Sequence, residues 1–162
     1  MTDRTELLKL LEKDARYTPA ELAAMLGRTE EAVKADIAAC EKENILLGYS
    51  AVVDWDLTDN ERVTALIEVK IAPQRNDGYD RIAQRIYQYD EVESVYLMSG
   101  SFDLAVTLTE SSLKEISNFV YAKLAPIEGV TSTATHFIMK KYKHNNRIFE
   151  PIVEQEERPL FI

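Results

Sequence analysis

The sequence predicts an α+β chain in two parts, a helical first third and a β-α-β-β-α-β remainder. Three observations carry this. The hydrophobic period changes near residue 58 from the helical 3.6 to the strand period of two. Helix start and stop signals crowd the segment before that point. After it, alternating runs and striped segments follow in the order strand, helix, strand, strand, helix, strand.

In the first part, Leu7, Leu8 and Leu11 share one face of a helix over residues 3–15. Thr18-Pro19-Ala20-Glu21 then starts a second. Thr18 can cap it, Pro19 suits the first turn, and Glu21 can close a capping box. Gly27 after Leu26 stops it. Thr29 can cap a third helix, where Glu30 and Glu31 meet the positive end of the helix dipole. Val33, Ile37 and Cys40 form its buried stripe. Ile45-Leu46-Leu47 and Tyr49-Ser50-Ala51-Val52-Val53 read as short strands around Gly48. Three helices, a tight turn before the third and a hairpin after it describe a winged helix-turn-helix.

In the second part, Val63, Ala65, Ile67, Val69 and Ile71 lie on one face of a strand. Pro73 to Gly78 break the chain before a helix that turns Ile82, Ala83 and Ile86 inward. Val92–Met98 and the alternating Leu104, Val106 and Leu108 flank the short loop Ser99-Gly100-Ser101-Phe102. Ser112 and Glu115 open a helix striped by Leu113, Ile116, Val120 and Leu124, and a last strand runs from Val130 to about Tyr142. This is the ferredoxin-like order, with both helices on one face of an antiparallel sheet. The other face, carrying Leu66, Tyr96 and Met98, suits a subunit interface. The expected domains are thus 1–58, the helix-turn-helix and linker; 59–144, the ferredoxin-like domain; and 145–162, an acidic and apolar tail expected to pack on a neighbour. Trp55 in the linker reads as a packing anchor.

Composition narrows the function classes. Among 162 residues, 46% are hydrophobic and 29% charged, which excludes a disordered or collagen-like chain. No apolar run approaches the roughly 18 residues of a membrane span, and Met1-Thr2-Asp3-Arg4 starts no signal peptide. The lone Cys40 excludes an internal disulfide and fits a reducing cytoplasm. His136 and His144 have no Cys or carboxylate cluster at ligand spacing, and no phosphate loop or triad motif occurs. An enzyme is not expected, nor is a metal or cofactor.

Glu21-Leu22-Ala23 with Gly27, Ile45-x-x-Gly48-Tyr49, Gly100-Ser101-Phe102-Asp103 and Gly129-Val130-x-x-Thr133-x-Thr135 occur in that order. In order and spacing the chain resembles the Lrp/AsnC (feast/famine) family of transcriptional regulators over residues 3–145. The resemblance implies a cytoplasmic regulator that dimerises through its sheet, builds tetramers or octamers, binds double-stranded DNA and senses an amino acid or related small molecule. It places the effector at Gly100, Ser101, Phe102, Asp103, Thr133 and Thr135. Gly100 permits close approach, Asp103 can pair with an ammonium group, and Thr hydroxyls can meet a carboxylate. The same residues also serve as turn glycine, loop cap and ordinary strand formers.

Charge sets a question for DNA binding. The chain carries 19 Lys and Arg against 28 Asp and Glu, a net −9. Residues 1–58 hold 7 basic and 12 acidic side chains, or −5, so the half expected to bind DNA is the more acidic. Across Thr29–Glu43, Lys34 and Lys42 stand against Glu30, Glu31, Asp36, Glu41 and Glu43. Asp36 falls where the family commonly has Arg, and Asn44 replaces the usual glycine. Two readings follow. Arg28, Thr29 and Lys34 hold phosphates with the helix N-terminal amides, while Glu30 accepts from a cytosine amino group. Alternatively, the fold persists with weak or lost DNA affinity and serves sensing or partner binding.

Overall fold

The computed structural model describes residues 2–60, 62–72, 78–110 and 112–149. The chain divides into two compact units, Met1–Val52 and Val53–Ile162. The tail beyond residue 149 and the break at 73–77 lie outside the described residues.

The first unit is three helices, α1 (Thr2–Lys13), α2 (Pro19–Leu26) and α3 (Glu30–Lys42). Local chemistry sets their ends. Thr18 Oγ1 accepts from the Glu21 amide at 3.2 Å, and Glu21 Oε2 accepts from the Thr18 amide at 2.8 Å, closing the capping box. Gly27 ends α2 in the left-handed region at φ 64, where a Cβ would be strained. Thr29 Oγ1 then accepts from the Ala32 amide at 3.3 Å and starts α3. Leu7, Leu11, Leu22, Ala23 and Val33 form the core, with Tyr17, Leu26, Ile37 and Leu46 packed around it.

The two short strands expected around Gly48 are not formed. After α3, Asn44 turns left-handed at φ 54, and the Ile45 and Leu46 amides donate to Cys40 O. Residues 47–54 then run without a ladder. Leu47, Tyr49, Val52 and Val53 are exposed. Alternation alone does not make a strand, because an isolated two-stranded hairpin has too little to pack on.

The second unit is built on a four-stranded antiparallel sheet, β1 (Val63–Ile71), β2 (Val92–Leu97), β3 (Leu104–Glu110) and β4 (Val130–Phe137), ordered β2-β3-β1-β4. Helix α4 (Gly78–Ile86) connects β1 to β2. Helix α5 (Leu113–Phe119), extended by a π-turn over Val120–Leu124, connects β3 to β4. One sheet face supplies Ala65, Ile67, Val69, Ile71, Leu104, Val106 and Leu108 to a core closed by Ile82, Ile86, Ile116, Phe119 and Leu124. The alternate positions make a second face, where the register aligns Tyr96, Ala105, Glu68 and Ala134 in one row. Ser94, Thr107, Leu66 and His136 make the next. Tyr96 and Met98 are exposed there.

The last strand is shorter than expected. Strand β4 ends at Phe137, which pairs with Ala65 near the start of β1, so little partner strand remains beyond it. Residues 143–148 instead fold on themselves as a two-stranded ribbon, β5 (Lys143–His144) and β6 (Arg147–Ile148).

Ile67 is fully buried on the central strand. Ile67→Ala is expected to lower stability by about 2–5 kcal/mol, read as a lower urea midpoint at unchanged slope.

Candidate functional site

The charges of α3 are arranged differently from what their count suggests. Asp36 is only 20% exposed and accepts from two guanidiniums: Arg28 Nη2 to Oδ2 at 2.6 Å, and Arg4 Nε to Oδ1 at 3.2 Å. Arg4 Nη1 also reaches both Glu43 oxygens at 3.2 Å. The Arg28 hydrogen bond, aided by Arg4 and opposed by burial, holds the Asp36 carboxyl below the usual carboxylate range. Glu41 accepts from the Tyr49 hydroxyl at 3.1 Å. Glu30 pairs with Lys34 at 2.6 Å, one helical turn apart.

The solvent side of α3 therefore consists of Glu31, Lys34, Ala35, Ala38, Glu41 and Lys42. Glu30, half-exposed at its start, adds a third glutamate against the two lysines, and the two alanines leave the backbone approachable. The four residues expected to touch DNA gather at the start of this helix with separate roles. Arg28, 16% exposed, is committed to Asp36. Thr29 caps. The Glu30–Lys34 pair is about half exposed on both sides, a class of contact worth about 0.3–0.5 kcal/mol, so Lys34 is weakly held. Sequence reasoning missed Arg4, because nothing local links it to a carboxylate 32 residues away.

The residues expected to hold an effector do not all converge. Gly100, Ser101, Phe102 and Asp103 form the turn between β2 and β3, closed by the Met98 amide donating to Asp103 O at 2.8 Å. Gly100 has φ 155, a conformation L side chains rarely adopt. The Asp103 amide donates to Val69 O at 3.0 Å, and Asp103 Oδ2 accepts from the Ile71 amide at 2.8 Å. One carboxylate oxygen thus fastens the turn to the end of β1. Thr133 and Thr135 pair with Val69 and Ile67, which places them on the helix-covered face, half-buried. Thr133 adjoins the strand segment that Asp103 grips, and Thr135 lies two positions further from it.

At the other end of the same strands, Asn60, Arg62, Thr109 and Glu110 line an open cleft of about 330 Å³. The Arg62 guanidinium stacks over the Trp55 ring at 3.8 Å. Trp55 is half-buried, which fits a packing anchor. Cys40 is buried, and His136 Nε2 lies 3.3 Å from Glu68 Oε1. Among the described residues, no three His, Cys, Asp or Glu side chains are grouped to hold a metal ion. No described helix is long and apolar enough to cross a membrane.

The family profile of the Lrp/AsnC ligand binding domain matches residues 64–148. YugG of Bacillus subtilis, an uncharacterized HTH-type transcriptional regulator, is 46% identical over 147 residues, covering 90% of this chain and 89% of that protein. Among solved structures, the transcriptional regulator NMB0573 of Neisseria meningitidis, in complex with L-Met, superposes with a TM-score of 0.69 at 21% identity, covering 89% of this chain and 92% of its own. AsnC of E. coli gives 0.66 at 20% identity, covering 88% and 93%. At such identities the two structures establish the shared fold.

Asp36 titrates at a lowered value in the folded state, so its stabilising contribution is complete above the unfolded carboxylate value of about 3.9 and fades as pH falls through the folded one. Asp36→Asn is expected to destabilise the three-helix unit at neutral pH and to flatten its acid transition. Circular-dichroism melts between pH 2 and pH 7 read both effects.

Proposed function

Because the chain belongs to the Lrp/AsnC family of HTH-type transcriptional regulators, with a ligand-binding domain of that family, we propose that it is an amino-acid-responsive, DNA-binding regulator acting as a multimer in the cytoplasm. The observation that carries the DNA-binding part is the sequestration of Asp36 by Arg28 and Arg4. It removes the acidic group that argued most directly against α3 as a reading helix. Thr29, Lys34 and the first amides of α3 meet the phosphates, and Glu30, once released by Lys34, is placed for a base edge. Arg28 acts by holding α3 in place.

An amino acid is the effector class best supported, since the Neisseria relative was crystallised with L-Met. Within this chain the turn Gly100–Asp103 is the place for it, with Thr133 and Thr135 on β4, across the width of β1. One protomer's turn is open, and a second copy completes the site. The exposed Tyr96 and Met98 on the second sheet face support dimerisation there, with dimers building tetramers or octamers. An effector bound between copies favours one assembly over another by its unequal affinity for the two.

An anisotropy titration on the DNA upstream of the protein's own gene tests this reading. Affinity should fall steeply with salt, and Lys34→Ala should weaken binding and reduce the slope of log K against log salt by about 1. No binding at low salt, with or without amino acids, leaves the sensing oligomer without DNA affinity as the function. For the effector, an amino acid should raise the melting temperature, and Asp103→Ala should abolish that rise. A full rise retained in Asp103→Ala moves the site elsewhere.

A further inference from the structure

The geometry points to a second nucleic-acid contact, the two-stranded ribbon formed by β5 and β6, which grips the phosphate backbone of duplex DNA. This inference rests on the DNA-binding reading above and locates a surface that reading does not use.

Charge is the first ground. From Ile138 to Phe149 the chain carries Lys140, Lys141, Lys143 and Arg147 and no Asp or Glu. These 12 residues hold +4 in a chain of net −9, leaving −13 on the rest. Non-specific duplex affinity comes from cations that replace condensed counterions on phosphates. Here they are concentrated on the ribbon.

Shape is the second ground. Lys143 pairs with Ile148 and His144 with Arg147, and the Phe149 amide donates to Tyr142 O at 3.0 Å. The tip is Asn145-Asn146, both left-handed at φ 43 and φ 62, a two-residue turn that matches the ribbon's twist and fixes its end. Lys140, Tyr142, Lys143, His144 and Arg147 are exposed, and Lys141 is half-buried. Register puts Tyr142, His144 and Arg147 on one face and Lys143 on the other. A ribbon with cations on both faces suits phosphates flanking a groove better than base edges inside one. None of these side chains belongs to either hydrophobic core, so the fold is expected to survive their replacement.

The test uses the full chain and two duplexes of equal length, one from upstream of its own gene and one unrelated. In the double variant Lys141→Gln/Lys143→Gln, affinity for both duplexes should fall alike, roughly tenfold at low salt. The slope of log K against log salt should drop by about 0.9 for each phosphate that the variant no longer neutralises. Lys141→Arg/Lys143→Arg should restore both, and the melting temperature should not move. Wild-type binding with unchanged slope and affinity in the Gln variant overturns the ribbon contact alone. A change in oligomer mass with an unchanged slope also overturns it, and makes the ribbon a protein-docking surface. No wild-type binding to either duplex at low salt overturns this inference together with the DNA-binding reading. Wild-type binding without preference between the duplexes, but abolished in the Gln variant, upholds the ribbon while removing α3 as a reader.

Discussion

Asp36 sits four-fifths covered between Arg28 and Arg4, and the character of α3 follows from that contact. A carboxylate taken out of water must be neutralised and hydrogen-bonded, or the helix that carries it shifts to release it. Arg28 comes from the turn after α2 and Arg4 from α1, so one acidic side chain fixes α3 against both other helices. The outward side of α3 is left with Lys34, Lys42, Glu31, Glu41 and two alanines, with Glu30 half-exposed at its start. An acid that looks like an obstacle to DNA is thereby turned into the device that fixes α3 within the three-helix unit.

Strand β1 plays the corresponding part in the second unit. It pairs with β3 on one side and β4 on the other, and its end receives the Asp103 amide at Val69 O while giving the Ile71 amide to the Asp103 carboxylate. The glycine turn, closed by the Met98 amide just after β2, is thus anchored on the inner strand β1 as well. Thr131 Oγ1 donates to Lys70 O from the opposite flank. A disturbance at the turn reaches β4 across a single strand width.

What is legible in the sequence is what is local. Thr18 with Glu21, Gly27 and Thr29 set helix ends within three or four residues of themselves, and the structure places caps on all of them. The alternation in β1 and β3 marks the core face, because burial follows the pleat. The order of elements, matched to the family, points to the fold. The departures are non-local. Residues 45–53 alternate like strands, yet a strand exists only with a partner, and none of the described residues pairs with them. Strand β4 is shorter than its alternation suggests because its end depends on where β1 begins. Two contacts that define the candidate sites, Arg4 with Asp36 and Asp103 with Ile71, each span 32 positions. A charge count over α3 does not reveal that its acids are answered from elsewhere in the chain.

The two cores share no residue. Each core is therefore built from its own unit's apolar side chains. The Arg4, Arg28 and Asp36 set applies the same rule to charge: α3 carries a largely covered acid and still packs, because the compensating partners stand within the same unit. A charge inside a unit is answered by that unit, so a sum over the sequence says little about any one face.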